Sequence, residues 1–310
     1  MHDRPTLKRR SFLKGLLGLG SSLALGPGRG TIHASGRIVR TIPATGEKLP
    51  VIGMGSWQTF DVGGNRHELK MRVDVLRTFF DNGGAVIDSS PMYGSSEEVI
   101  GYCLRQLDNR QKLFSATKVW TWGKTSGINQ MELSRKLWGV SHFDLMQIHN
   151  MLDWESHLET LKAMKVEGRI RYIGITTSHG RRHLALEQAL TDHQFDFVQF
   201  TYNILERETE KRLLPLAQER GTAVIVNRPF DGGDLFAYVR GKPLPKWAVE
   251  FDCRNWAQFF LKFIISHPAV TCAIPATTRV DHMKQNMGAG LGRLPDQRMR
   301  QRMVQHFRNL

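Results

Sequence analysis

The chain has 310 residues, a formal charge of +14, a pI near 10.0 and 41% hydrophobic residues. That balance excludes a disordered or collagen-like chain, and α/β barrels reach this length as a single unit. The three cysteines, Cys103, Cys253 and Cys272, are too few and too widely spaced for a disulfide framework or a thiolate metal cluster, and no metal site is implied.

The basic excess raises the question of a nucleic-acid partner. Residues 1–26 hold five basic groups (Arg4, Lys8, Arg9, Arg10 and Lys14) against the single acid Asp3, and most of the remainder is spread over helical segments. Only the end of the chain from Arg293, RLPDQRMRQRMVQHFRNL, concentrates charge. Neither an aromatic-rich strand set nor a helix-turn-helix spacing accompanies it, so a solvated cationic face is expected there and no nucleic-acid partner.

In chain order, KRRSFLKG from Lys8 leads into LLGLGSSLALG. This apolar stretch is too short to span a bilayer and has the length of a signal h-region. The pair Arg9-Arg10, followed by Ser11, Phe12, Leu13 and Lys14, is similar to the twin-arginine export signal. That resemblance implies export of the folded protein by the twin-arginine machinery to the periplasm, with no stable membrane insertion afterwards. Residues 1–34 are read as the signal, with cleavage between 24 and 36, and residues 37–310 as one barrel. The competing reading, an amphipathic N-terminal helix, is weakened by the glycine content and by the lack of a polar face.

From Arg37, β-type residues flank a turn at Ala44-Thr45-Gly46 and predict a hairpin. Eight short β-rich runs follow, at 51–56, 85–88, 113–119, 143–149, 170–176, 195–201, 223–227 and 270–275. Helical periodicity marks 65–84, 96–107, 129–138, 155–167, 181–190, 209–220, 256–266 and 280–287. The β-rich runs are nearly continuous in apolar residues, as strands buried on both faces are. Eight such units predict an α/β fold, a (β/α)8 TIM barrel with an N-terminal β-hairpin. An open doubly wound sheet is disfavoured because Gly53-Met54-Gly55 continues into Ser-Trp-Gln rather than into a pyrophosphate turn. The longest irregular insertion is 230–254, after the seventh run.

In such barrels function collects at the C-terminal ends of the strands. Asp88 and Tyr93 follow the second run, Lys118 ends the third and His149 the fourth, so the four side chains are predicted to meet in one pocket. Taken singly, an Asp88–Lys118 ion pair or a core His149 requires no function. Together they are costly to bury without a purpose. A phenol with an ordinary pKa of about 10 is a weak acid unless its anion is stabilised. An ammonium at Lys118, anchored by Asp88, supplies that stabilisation, and His149 orients a substrate oxygen. The set suits proton transfer to a carbonyl oxygen while hydride reaches its carbon. A barrel hydrolase is disfavoured, because neither paired carboxylates nor a His-x-His pattern lies at the strand ends.

The segments VIGMGSW, VIDSSPMYG, FSATKVW, FDLMQIHN, IRYIGITTS, FVQFTYN and IPATTRVDHMKQN resemble the aldo-keto reductase family, from Arg37 to Asn286. The resemblance implies NADPH-dependent reduction of a small aldehyde or ketone, with NADH as an alternative cofactor and Tyr93 as proton donor. It places Gln199 at the nicotinamide carboxamide and Thr176-Thr177 where the family has Ser-Asn. Asn227 replaces the aromatic that stacks under the nicotinamide, and Arg228, Pro229 and Gly232 open the loop over the pyrophosphate. Thr277, Thr278, Arg279 and His282 stand at the phosphate position near the last strand, with Asn286 at the adenine. Trp57, Trp120 and Asn150 are expected to wall the substrate pocket. The alternative is a cofactor-binding or sensing barrel with little turnover.

Overall fold

The computed structural model describes residues 36–310, and the proposed export signal lies outside them. The chain first forms the antiparallel hairpin β1 (Val39–Thr41) and β2 (Lys48–Pro50). Then come β3 (Met54–Gly55), α1 (Arg66–Asp81), β4 (Val86–Asp88), α2 (Ser96–Arg105), β5 (Phe114–Val119) and α3 (Lys124–Trp138). The alternation continues through β6 (Phe143–Ile148), α4 (Trp154–Val166), β7 (Ile170–Thr176), α5 (His183–Asp192), β8 (Phe197–Thr201) and α6 (Leu213–Glu219). It ends with β9 (Ala223–Asn227), α7 (Asp234–Tyr238), α8 (Trp256–Ile265), β10 (Val270–Ala273), α9 (Val280–Gly288) and α10 (Gln297–Arg308).

Strands β3 to β10 pair in sequence order, all parallel. The two ends meet where Gly53 N–H donates to the Ala273 carbonyl and Ala273 N–H to the Val51 carbonyl, both at 2.9 Å. The expected barrel is therefore present, and the hairpin with it. Successive side chains on a strand face opposite sides, which splits the apolar residues in two. One set, including Val86, Phe114, Leu145, Tyr172, Phe197, Ile225 and Cys272, fills the barrel interior. The other, including Ile87, Val119, Met146 and Val198, packs against the helices. The hairpin contributes Ile42 and Leu49 to the interior set and so plugs the end opposite the strand C-termini. Its turn is tied down there by Thr45 and Glu47, both hydrogen-bonded to the Tyr172 hydroxyl.

Two helix starts and one segment differ from expectation for local reasons. Helix α3 starts at Lys124 rather than 129. Asp153 accepts from the Gly123 N–H at 2.7 Å, and Gly127 leaves room for the His157 ring, which a Cβ would meet at 2.6 Å. Helix α6 starts at Leu213 rather than 209, because the ring of Pro215 cannot follow a helical residue 211. Segment 230–254 is largely regular, with α7, a one-turn 3-10 helix at Asp231–Gly233 and a two-turn 3-10 helix at Lys246–Phe251.

The C-terminal run is more than a solvated cationic face. Asp296 caps α10 by accepting from Met299 N–H at 2.8 Å, and Met303, Val304 and Phe307 are buried. Arg300 reaches inward to Glu210 at 2.9 Å and lies 4.4 Å over the Phe263 ring. All three cysteines are buried and unpaired. Burial pushes the Cys103 thiol up to about 12 and that of Cys253 to about 11.

Candidate active site

The interior faces of β4, β5, β6 and β8 turn polar one step above the apolar layer, through Asp88, Lys118, Gln147 and Gln199. Each lies two residues beyond an interior apolar side chain: Val86, Ala116, Leu145 and Phe197. Lys118 has no solvent exposure, and its Nζ lies 2.5 Å from Asp88 Oδ2 and 2.8 Å from the Ser89 carbonyl. The other carboxylate oxygen accepts from Gln147 Nε2 at 2.8 Å and Gln199 Nε2 at 3.0 Å. Gly174 on β7 makes this layer possible, since a Cβ there would sit 2.8 Å from Gln147 Cγ.

Tyr93 sits over this pair, with Lys118 Nζ 5.2 Å from its ring centroid. Burial pushes the phenol above its ordinary value, the Lys118 charge pulls it back, and the Asp88 charge pushes it up again. For Lys118, burial favours the neutral amine, but the Asp88 carboxylate beside it outweighs this and the net direction is up. The site therefore holds a protonated phenol beside a permanent ammonium.

His149 follows the last residue of β6 and meets Tyr93 edge-on, with ring centroids 5.6 Å apart at 85°. Its Nδ1 lies 2.8 Å from the Ser90 hydroxyl, which already accepts from the Met92 N–H. With the hydroxyl donating to Nδ1, the ring proton is on Nε2. Burial, then the Lys118 charge, lower the His149 pKa from 6.5 to about 2. The imidazole is neutral across the working range and can donate a hydrogen bond without carrying charge.

The segment after His149 is strained: Asn150, Met151 and Asp153 all have left-handed backbone, with φ of 52°, 54° and 47°. It is held from the next strand's loop. Thr176 Oγ1 accepts from the Asn150 N–H at 3.0 Å, and Arg182 donates to the Asn150 and Met151 carbonyls at 3.1 and 3.2 Å.

A cavity of about 530 Å³ opens above these groups. Asp88, Tyr93 and His149 line it, and Lys118 lies beneath. Trp57 and Asn150 line it too, whereas Trp120 stands behind His149, with ring centroids 6.5 Å apart. On the opposite wall are Thr176, Thr177, Gln199, Asn227, Arg228, Pro229 and Gly232. Ala276 marks the cavity's edge. Thr277, Thr278, Arg279, His282 and Asn286 continue beyond it around the start of α9.

The wall fits a dinucleotide. Thr177 Oγ1 and Arg228 Nε are buried with no partner, the condition of groups awaiting a ligand. Asn227 cannot stack as an aromatic would. It is fixed in the wall by Thr201, which donates to its Oδ1 at 2.7 Å, and by its own bond to the Thr177 carbonyl at 2.9 Å. Thr176 has its hydroxyl engaged with Asn150 and acts on that loop. Arg279 is paired side by side with Asp281 at 2.6 and 3.0 Å, in the open.

Gln147 and Ser90 were missed in the sequence. The signal was present for Gln147, two residues before His149 on the same strand face. Ser90 carried none, because its role depends on a turn.

A model described as the aldo/keto reductase family matches residues 51–303. Methylglyoxal reductase YeaE of Escherichia coli is 28% identical over 245 residues, 77% of this chain and 84% of that protein. Aldo-keto reductase YhdN of Bacillus subtilis is 27% identical, over 58% of each chain. The fold is also that of an aldo/keto reductase from Klebsiella pneumoniae, solved with NADP and acetate, at TM-score 0.69 and 23% identity over 84% of this chain and 93% of that one. The thermostable Tm1743 enzyme superposes at TM-score 0.72 and 24% identity, covering 87% and 99% of the two chains.

Proposed function

Because the chain belongs to the aldo/keto reductase family, matched from residue 51 to 303, we propose that it reduces an aldehyde or ketone by hydride transfer from NADPH, with Tyr93 as proton donor. The observation that carries this reading is the buried Lys118–Asp88 pair at 2.5 Å set under the Tyr93 ring. When bound, the nicotinamide supplies the hydride. His149 Nε2–H and the Tyr93 hydroxyl hold the carbonyl oxygen, and as negative charge grows there the Tyr93 proton moves to it. The phenolate left behind faces the Lys118 ammonium, whose charge Asp88 keeps in place. Gln147 and Gln199 fix the carboxylate so that the ammonium is not drawn away.

Thr177, Gln199, Asn227, Arg228, Pro229 and Gly232 would hold the nicotinamide and pyrophosphate portions, and Thr277, Thr278, Arg279, His282 and Asn286 the adenosine phosphate portion at the start of α9. Trp57, Trp120 and Asn150 would shape the substrate side. The Klebsiella structure with NADP and the E. coli relative named for methylglyoxal support this cofactor and a small carbonyl substrate.

The same reading includes export. Arg9-Arg10 with Ser11, Phe12, Leu13 and Lys14, followed by a short apolar stretch, supports passage of the folded protein through the twin-arginine machinery into the periplasm, with the signal removed between 24 and 36.

The reading is tested by following NADPH oxidation with 4-nitrobenzaldehyde or 9,10-phenanthrenequinone. Tyr93→Phe should lose about 10²- to 10⁴-fold in kcat. Equal rates for the variant and the wild type would remove the assigned proton donor.

A further inference from the structure

The cavity carries charge that the catalytic set does not use. Apart from Asp88, which is paired with Lys118, its charged lining side chains are Arg181, Arg182 and Arg228. Arg228 is neutralised by Asp231 at 2.6 Å, and Glu206, the other acid nearby, feels Asp231 and Arg228. The Arg181 guanidinium has neither a carboxylate nor a hydrogen-bond partner among the described residues. Arg182 has no carboxylate partner there either, and spends only Nη1, on the Asn150 and Met151 carbonyls at 3.1 and 3.2 Å. His179 lines the same wall, and its pKa is lowered by burial and then by the charges of Arg228 and Arg181. All four side chains border the same cavity.

Arg182 ties this space to the reacting end, because the Asn150 carbonyl it holds belongs to the residue next to His149; Arg228, on the loop expected over the pyrophosphate, borders the same space from the other side. We propose that Arg181 and Arg182 form an oxyanion subsite for the substrate, which is a small aldehyde or ketone bearing a carboxylate or phosphate. This rests on the reductase reading. Arg181, exposed on its loop, meets the anion as it enters. Arg182, already fixed by two backbone bonds, offers its remaining N–H groups in a set orientation. The neutral His149 adds no competing charge, so the anion is drawn to the arginine side and its carbonyl end is left for Tyr93.

The test uses the full protein with NADPH and two matched pairs: 4-formylbenzoate against benzaldehyde, and glyceraldehyde 3-phosphate against glyceraldehyde. Wild-type kcat/KM should favour the charged member of at least one pair by about tenfold, and the pair that responds identifies carboxylate or phosphate. Arg181→Gln should erase most of that preference through KM, and Arg181→Lys should keep part of it. Equal kcat/KM within both pairs would overturn the subsite. So would a loss in Arg181→Gln that is the same for charged and neutral members and follows a weaker NADPH Kd, since the arginines would then serve the cofactor. Benzoate binding, read by tryptophan fluorescence against benzamide, separates the two readings. If no aldehyde is turned over but benzoate affinity falls in Arg181→Gln, the reductase fails and the subsite stands; unchanged benzoate affinity removes both.

Discussion

Lys118 Nζ and Asp88 Oδ2 lie 2.5 Å apart with the lysine fully buried. The ammonium cannot be solvated if the carboxylate is removed. Asp88→Ala should therefore destabilise the fold by about 3–5 kcal/mol, measured by urea unfolding. Adding Lys118→Met to that variant should recover part of the loss, because no orphan ammonium remains. A double variant no more stable than Asp88→Ala alone would show that the ammonium is not what destabilises the single change.

The pH dependence follows from two directions. His149 is depressed to about 2 and Tyr93 is raised. The carbonyl-reduction rate should therefore show no break near 6.5, and should fall only when alkali ionises Tyr93. A limb near 6.5 that disappears in His149→Gln would contradict the neutral imidazole.

Stability should respond to the same histidine. Its folded pKa is below its unfolded value, so between about 2 and 6.5 the unfolded chain binds more protons. Stability from this group is present above 6.5 and is lost as pH falls. At pH 5 the loss is on the order of 2 kcal/mol. Comparing urea midpoints at pH 5 and 7.5 for wild type and His149→Gln checks it, the variant being the flatter of the two.

Arg279 is held by Asp281 in the open at 2.6 Å. A 2'-phosphate must compete with that carboxylate for the guanidinium. Asp281→Asn should tighten NADPH binding a few-fold while changing NADH little, by fluorescence titration. Equal shifts for both dinucleotides would take Arg279 away from the 2'-phosphate.

The export proposed above would carry the cofactor question with it, since free NADPH is not regenerated outside the cytoplasm. Native mass spectrometry of protein released from the periplasm should find a dinucleotide retained. Bare protein would mean that the cofactor is not carried across.

The barrel was legible because eight doubly buried strands leave eight apolar runs, and that pattern survives without any knowledge of contacts. Asp88, Tyr93, Lys118 and His149 were legible because strand ends converge by topology alone. Gln147 and Gly174 were not: one supplies a bond and the other the space for it, and only register, with Gln147 opposite Gly174, relates them. Arg181 and Arg182 read as ordinary charge at the start of the helix expected over 181–190, since their place in the cavity depends on a loop in left-handed backbone, with the helix beginning only at His183. Helix α10 was hidden by its own composition, for five arginines from Arg293 onward outweigh the three apolar side chains that dock it.

The buried thiols bear on where such a chain can live. In an oxidising compartment an unpaired cysteine invites mixed disulfides and cross-linked dimers, and a protein with three of them has no even pairing. Here each sulfur is enclosed and held as the unreactive thiol. A fold completed before departure would thus arrive already inert to the redox chemistry of its destination, whereas the same chain threaded across unfolded would meet it with every cysteine bare.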